Sequence, residues 1–572
     1  MYFKNFLDLS YFKELHVLKD NNIFNYTIAV VVVLAILLSI FNEDASTGSL
    51  KLSWVLGEFL PIQHTIFAFN TDKEKNKNEQ NKNKNKNWII YTFICFIYNF
   101  LLEIKKSIIE KKFLDLMNNI KNNVKKKIKF YTDVVILKLK SESKRHFFFL
   151  LLKKKYNVPI KKNENEMQSY LDAKRELIRL NIWAFMLRVS DVKNEYIVCN
   201  DKKVRTMSSY SYLDFLREPI VQNYAIEIAT KWSTGNHGPR LLGGNSQILV
   251  DLEKQVGRFF GRNNSILSVC GFLACMSGIA AVASANDLVL YDSFTHECVK
   301  VGIKISNSKS YKFKHNDYGH LEILLLKHRY KYKNCWVCLE SVYSMDGDIP
   351  YLPAFKKLCV KHNAKLYVDE AHGLGVLGET GRGLEEFYNM PGSIDVIVGT
   401  FSKSIGSVGG YIVGSDKLIE FLDIHCMGNV FSAPLPAYCA GGAMKAFELI
   451  DEQPWRLKKL KFNIKYLRDA LKTGMGYWHE DYPECNKFVL GGNDNTSVIP
   501  IIYPNDPDRL FKICKLLHKK GWLVSAVAYP ACPLNLPRFR VTGTCEYTIE
   551  QMNEFVRDLV LTTMSVEPSP II

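Results

Sequence analysis

From about residue 170 the chain alternates short apolar, β-branched runs with helix-length segments and glycine-rich turns, and this rhythm restricts the fold more than any other feature. Leu288–Tyr291, Trp336–Leu339, Lys365–Val368 and Val396–Val398 each read as a buried strand. Apolar runs joined through helices imply an α/β fold built on a mostly parallel sheet. Open sheets of this kind bind ligands beyond the carboxyl ends of their strands. The residues that follow each run are therefore the first place to look for chemistry.

Three strand ends and one helix start carry polar residues in useful places. The run Asp395–Thr400 leads into Phe401-Ser402-Lys403-Ser404, with Gly406, Gly409 and Gly410 beyond. A lysine there, among the hydroxyls of Thr400, Ser402 and Ser404, suits a Schiff base to pyridoxal phosphate; a solvated loop lysine is the alternative. Lys365–Asp369 is a strand ending in an acid, and His372 follows three residues later. A carboxylate facing a pyridinium nitrogen keeps it protonated, and a nearby histidine can hydrogen-bond the ring hydroxyl. A capping acid and a loop histidine would look the same.

Ser268-Val-Cys-Gly271-Phe272 leads from a strand into a small-residue helix over Leu273–Ala285, the setting of a phosphate cradle or of tight helix–strand packing. Tyr291–His296 supplies another strand-end histidine. Arg538 and Arg540 lie on one face of a strand near the C-terminus, either as a carboxylate clamp or as a salt-bridged surface. Thr234–Asn245, with His237 and Arg240, is too glycine-rich for a regular element and reads as a loop making a close backbone approach. Cys335 and Cys338 have CxxC spacing, but inside a strand-like run with no second pair, so neither a redox nor a zinc role is expected.

Charge and hydropathy divide the 572 residues. Residues 71–165 hold 24 Lys or Arg against 9 Asp or Glu, so about +15 of the net +17 lies there. No helix-turn-helix, zinc-finger or RRM pattern accompanies that charge, and no nucleic-acid partner is expected. Residues 72–87 are low-complexity Lys/Asn sequence that cannot pack a core. Residues 23–41 contain no charge, and nineteen helical residues span roughly 28 Å, enough for a single membrane anchor. The lysine excess on its C-terminal side places the bulk of the chain in the cytosol. Trp88–Ile104 fits a second span, an interfacial helix or a buried helix. The fourteen cysteines sit mostly in apolar runs, as in a reducing compartment. The expected organisation is an anchored segment 1–45, a linker 46–170, an N-terminal part of the catalytic region 171–235, a large domain 236–440 and a small α+β domain 441–572.

These motifs, in this order, resemble the α-oxoamine synthases, pyridoxal-phosphate enzymes of fold type I, over about residues 180–560. Through the resemblance Lys403 is the Schiff-base lysine, Asp369 the pyridinium partner, His372 the ring-hydroxyl contact and His296 the histidine stacked on the ring. Gly271 and Phe272 match backbone phosphate contacts, Thr400 and Ser402 the hydroxyls beside phosphate and lysine, and Ser432 a position reaching the neighbouring subunit's phosphate. Arg540 matches the substrate-carboxylate arginine, with Arg538 as the alternative one register step away. Cys275 departs from the pattern, standing where many members carry Asn.

Serine palmitoyltransferases are the best match within the family. They imply a decarboxylating Claisen condensation of L-serine with palmitoyl-CoA to 3-oxosphinganine, the first step of sphingolipid synthesis. They also imply a homodimer at the endoplasmic reticulum membrane with small regulatory membrane subunits as partners. 5-Aminolevulinate synthase, glycine acetyltransferase and a non-catalytic membrane subunit are the alternatives. No metal is expected.

Overall fold

The computed structural model describes residues 202–481, 488–529 and 531–567, with short pieces at 175, 187, 189–192 and 197–199. The expected membrane segments 23–41 and 88–104 and the Lys/Asn-rich stretch around them lie outside the described residues. Among the described residues no helix is long and apolar enough to cross a bilayer.

The first strands, β1 (Val189–Val192), β2 (Ile197–Cys199) and β3 (Lys202–Thr206), form an antiparallel ladder. Helices α1 (Pro219–Trp232) and α2 (Gln247–Phe259) lead to the central sheet. Its strands are β4 (Ser265–Ser268), β5 (Leu288–Asp292), β6 (Lys309–Phe313), β7 (Cys335–Glu340), β8 (Lys365–Asp369), β9 (Val396–Thr400) and β10 (Gly410–Gly414), in the order β4-β10-β9-β8-β7-β5-β6. Helices α3 (Gly271–Val282) and α4 (Glu297–Ile305) follow β4 and β5.

Strands β9, β8, β7, β5 and β6 are mutually parallel, whereas β10 runs antiparallel to both neighbours. The reversal has a simple cause. Only residues 401–409 join β9 to β10, too few for a parallel crossover. That short connection is the segment carrying Lys403. The inner parallel strands β5, β7, β8 and β9 are largely apolar on both faces, as burial on both sides requires, while the edge strand β6 is more polar and partly exposed. Val396, Ile397 and Val398 of β9 are each no more than 1% exposed. Each side chain of this kind contributes about 1.5–3 kcal/mol by leaving water.

The C-terminal strands are β11 (Val489–Leu490), β12 (Val498–Ile502), β13 (Trp522–Leu523), β14 (Ser525–Val527) and β15 (Arg538–Thr542). Four of them form a second antiparallel sheet, ordered β11-β12-β15-β14. The remaining strand, β13, pairs in parallel with β3 and so ties the N-terminal ladder to the C-terminal region. Strand β15 is buried throughout, which sets both of its arginines inside the protein.

Candidate active site

Four parallel strands end in polar residues: β5 in Asp292, β7 in Glu340, β8 in Asp369 and β9 in Thr400. Register places Glu340 beside Asp369. The site is therefore a row of groups along the carboxyl edge of the sheet, completed by Lys403 and His372 from the loops beyond it.

Asp369 is 6% exposed. Its Oδ1 accepts from the Ala371 amide at 2.9 Å, and its Oδ2 lies 3.5 Å from Cys275 Sγ. Lys403 Nζ stands 2.8 Å from His372 Nε2. His372 Nδ1 in turn lies 2.8 Å from the Tyr212 hydroxyl, and Arg540 Nη2 reaches that hydroxyl at 3.5 Å. One assignment satisfies the whole chain. Lys403 donates to Nε2, and His372 carries its single proton on Nδ1 and donates to Tyr212, which also accepts from Arg540.

The electrostatics agree with a neutral imidazole. Burial, then the charges of Lys403 and Arg540, hold His372 well below the usual histidine range. Burial also lowers Lys403 to about 8, with Arg540 pushing the same way and Asp369 opposing. A lysine so depressed loses its proton near neutral pH and becomes a nucleophile. Contact with Cys298 raises His296 to about 9, helped by Asp369 and Glu340 and opposed by burial. Burial raises Glu340 to about 8, with Asp369 adding to the effect and His296 opposing it.

The helix expected over Leu273–Ala285 instead spans Gly271–Val282. No side chain caps its start, because Cys270 is a poor cap, so the first amides of α3 have no side-chain acceptor there. A Cβ on Gly271 would stand 2.5 Å from Thr400 Cβ, so only glycine lets this helix start approach β9 so closely. Thr400 Oγ1 donates to the Gly409 carbonyl at 3.0 Å and lies 2.8 Å from Ser402 Oγ. Uncapped amides at a helix start beside two hydroxyls form an anion cradle. The donor set thus fits pyridoxal phosphate: cradle, lysine and carboxylate along one sheet edge.

His296 stands at the start of α4, with Nδ1 2.9 Å from Cys298 Sγ and 3.3 Å from the Cys298 amide, and its own amide donates to Glu340 at 2.6 Å. Its ring meets the half-exposed Phe272 edge-on, with centroids 6.4 Å apart. The two arginines of β15 differ. Arg538 forms an ion pair with Asp346 at 2.6 Å and donates to the Met345 carbonyl. Arg540 donates through Nε to the Ser344 carbonyl at 2.6 Å and lies 4.5 Å over the Tyr210 ring. No carboxylate pairs with Arg540 among the described residues, and its Nη1 is buried without a partner. That orphan donor, on a guanidinium whose charge is felt at Lys403, is what an incoming carboxylate would satisfy.

The hydroxyl of Ser432 donates to the Ala433 carbonyl at 3.0 Å. The glycine-rich loop at 234–245 contains a short 3-10 turn, Arg240–Leu242, and Arg240 pairs with Glu253. Cys335 and Cys338 are buried within β7. Sequence reasoning missed Tyr212, Glu340 and Cys298. Glu340 obeys the same strand-end rule that picked out Asp369. Tyr212 carries no local signal, being 160 residues from its partner His372.

The class I and II aminotransferase family model matches residues 202–559. The chain is 32% identical to the 8-amino-7-oxononanoate synthase of Thermoanaerobacter pseudethanolicus over 62% of this chain and 87% of that protein. It is 28% identical to the serine palmitoyltransferase of Sphingobacterium spiritivorum over 69% of this chain and 96% of that one. The solved serine palmitoyltransferase of S. paucimobilis, with pyridoxal phosphate and myriocin bound, matches with a TM-score of 0.66 at 25% identity, covering 70% of this chain and 98% of that one.

Proposed function

The chain belongs to the α-oxoamine synthases of the class I and II aminotransferase family, which carry pyridoxal 5'-phosphate, and on that premise we propose that it condenses L-serine with palmitoyl-CoA. A carbon–carbon bond forms between the serine Cα and the thioester carbonyl, the coenzyme A thiol and carbon dioxide leave, and the product is 3-oxosphinganine. The observation that carries the reading is Lys403 Nζ at 2.8 Å from His372 Nε2, with the unpaired Nη1 of Arg540 buried nearby.

Bound at Lys403, pyridoxal phosphate supplies an electron sink for charge developing at the amino acid Cα. The protein's own groups do the rest. Arg540 binds the serine carboxylate through Nη1 and orients the Cα–H bond. Lys403, depressed to about 8, takes the Cα proton at Nζ. His372 keeps Nε2 open as an acceptor because Tyr212 holds its proton on Nδ1. Asp369 would stabilise a proton on the cofactor's ring nitrogen, and the amides at the start of α3, with Thr400 and Ser402, would hold its phosphate. His296, at the start of the helix that follows β5 and bonded through its amide to Glu340, orients the amino acid before the acyl-CoA enters.

The apolar segment 23–41, long enough for one membrane anchor, supports a lipid product and an enzyme held at the endoplasmic reticulum membrane with its catalytic region in the cytosol. A homodimer in which Ser432 reaches the partner's phosphate accounts for that residue's position at the surface. A second reading, synthesis of 8-amino-7-oxononanoate, has the higher sequence identity in its favour. The test is a matrix of labelled serine, glycine and alanine against short- and long-chain acyl-CoAs. Serine with palmitoyl-CoA gives the highest kcat/KM on this reading. Preference for another amino acid or a short acyl chain would overturn it.

A further inference from the structure

We infer that, when the cofactor is absent, Cys275, Cys298 and Asp369 bind a thiophilic divalent cation such as zinc, with His296 completing the site, and that metal and cofactor exclude each other. The two Sγ atoms and a carboxylate oxygen of Asp369 lie within 4.8 Å of one another, all three residues buried. Tetrahedral zinc, with sulfur at about 2.3 Å and nitrogen or oxygen at about 2.0–2.2 Å, holds its ligand atoms roughly 3.3–3.8 Å apart. The cluster needs only a small contraction to reach that geometry. His296 Nδ1 stands 2.9 Å from Cys298 Sγ but outside this close cluster, so it becomes the fourth ligand only by turning its ring toward the other three.

The backbone builds this cluster. A Cβ on Gly302 of α4 would stand 2.2 Å from the Met276 carbonyl and 2.4 Å from Ile279 Cγ2 of α3, so the two helices meet at closest approach there. Cys298 lies one turn before Gly302 and Cys275 one turn before Ile279, so the thiols sit on adjoining rungs of that contact. Strand β8 then delivers Asp369, whose Oδ1 is committed to the Ala371 amide while Oδ2 points to Cys275. Two soft thiols, an imidazole and one carboxylate are the donor set of a zinc site. Binding releases both thiol protons and the proton carried by His296 to solvent and leaves a complex of zinc with two thiolates, one carboxylate and neutral histidine. Asp369 has one negative charge to offer, and a protonated ring nitrogen and a metal ion both require it. The more conspicuous CxxC pair is no rival. Cys335 and Cys338 stand three apart on a strand and so point to opposite faces, into different parts of the core.

The experiment uses the purified full chain with its thiols reduced and its cofactor removed by hydroxylamine and dialysis, titrated with zinc alone against a chromophoric chelator. One zinc per chain is expected. Cys275→Ser and Cys298→Ser should each weaken binding at least ~100-fold, since even an outer-shell partner of a metal is worth about 10- to 100-fold. Cys335→Ser and Cys338→Ser should leave it unchanged. Protein preloaded with pyridoxal phosphate should bind no zinc, and zinc-loaded protein should rebind the cofactor only after chelation. Substoichiometric zinc, equal affinity in the Cys275→Ser/Cys298→Ser double variant, or simultaneous binding of zinc and cofactor would each overturn the proposal. Should the cysteine variants fail to fold, the wild-type competition decides alone. No substrate enters the assay, so its outcome is separate from that of the serine reading.

Discussion

Replacing each arginine of β15 by lysine separates their roles. In Arg540→Lys the positive charge stays but the guanidinium fork is lost. The structure gives the size of the effect. Arg540 spends Nε on the Ser344 carbonyl and keeps Nη1 unpaired and buried, so the substrate carboxylate gains one or two charge-assisted bonds from this side chain. A hydrogen bond to a charged group is worth about 1.5–3 kcal/mol, which corresponds to ~10- to 150-fold in kcat/KM for the amino acid. The loss should fall mainly on KM, because the carboxylate is bound before and during reaction alike. Arg538→Lys should behave in the opposite way. Its guanidinium is fully buried against Asp346, so the variant loses thermal stability while KM for serine stays within about twofold. The assay is initial rate against serine concentration at saturating acyl-CoA, with a melting curve for each variant. A raised KM in Arg538→Lys together with an unchanged KM in Arg540→Lys would refute the reasoning and move the carboxylate site one register step along the strand.

Two further outcomes follow from the same geometry. Gly271→Ala puts a methyl 2.5 Å from Thr400 Cβ; overpacking of this kind costs about 1–3 kcal/mol, and cofactor affinity, read by absorbance titration, should fall because the start of α3 is pushed off the phosphate site. The pH dependence of cofactor-free protein has a defined sign, since Lys403 lies at about 8 when folded against an ordinary 10.5. The unfolded chain takes up that proton first as pH falls, so the folded form loses stability between about 10.5 and 8 and no more below. Relative to Lys403→Met, the wild type should therefore gain melting temperature as pH rises from 8 to 10. A constant difference across that range would show that the lysine is not depressed.

The inner strands of the central sheet were legible because they are buried on both faces and must be largely apolar; Val396–Thr400 and Lys365–Asp369 announce themselves, whereas the partly exposed edge strand Lys309–Phe313 carries no such run. Strand β10 could not be read as antiparallel from its own residues, since direction is decided by the nine-residue connection before it. The ladder that joins Lys202–Thr206 to Trp522–Leu523 pairs segments more than 300 residues apart, and neither end carries a local sign of the other. The start of α3 was misplaced by two residues because no Ser, Thr, Asp or Asn caps it.

Among the site residues, Asp369, His372 and Lys403 follow strand ends, where position alone suggests function. Tyr212 and Tyr210 come from a Ser-rich stretch with no periodicity, and only the folded chain puts them against His372 and Arg540. The choice between Arg538 and Arg540 was open in the sequence because both share one face of β15. Their neighbours distinguish them: each has one buried guanidinium nitrogen without a partner, but Arg538 is already paired with Asp346, whereas no carboxylate among the described residues pairs with Arg540. Cys298 was invisible for a different reason, since its partner Cys275 lies on a separate helix.

Lys403 is the residue on which the site depends, as the one that would carry the cofactor. Borohydride reduction of the cofactor-loaded protein, followed by proteolysis and mass spectrometry, fixes pyridoxal phosphate to whichever lysine holds it. The phosphopyridoxyl group should be found on the peptide containing Phe401-Ser402-Lys403-Ser404 and be absent from Lys403→Ala protein treated in the same way. A stoichiometric adduct on any other lysine, or one that persists in Lys403→Ala, would contradict the site described for this chain.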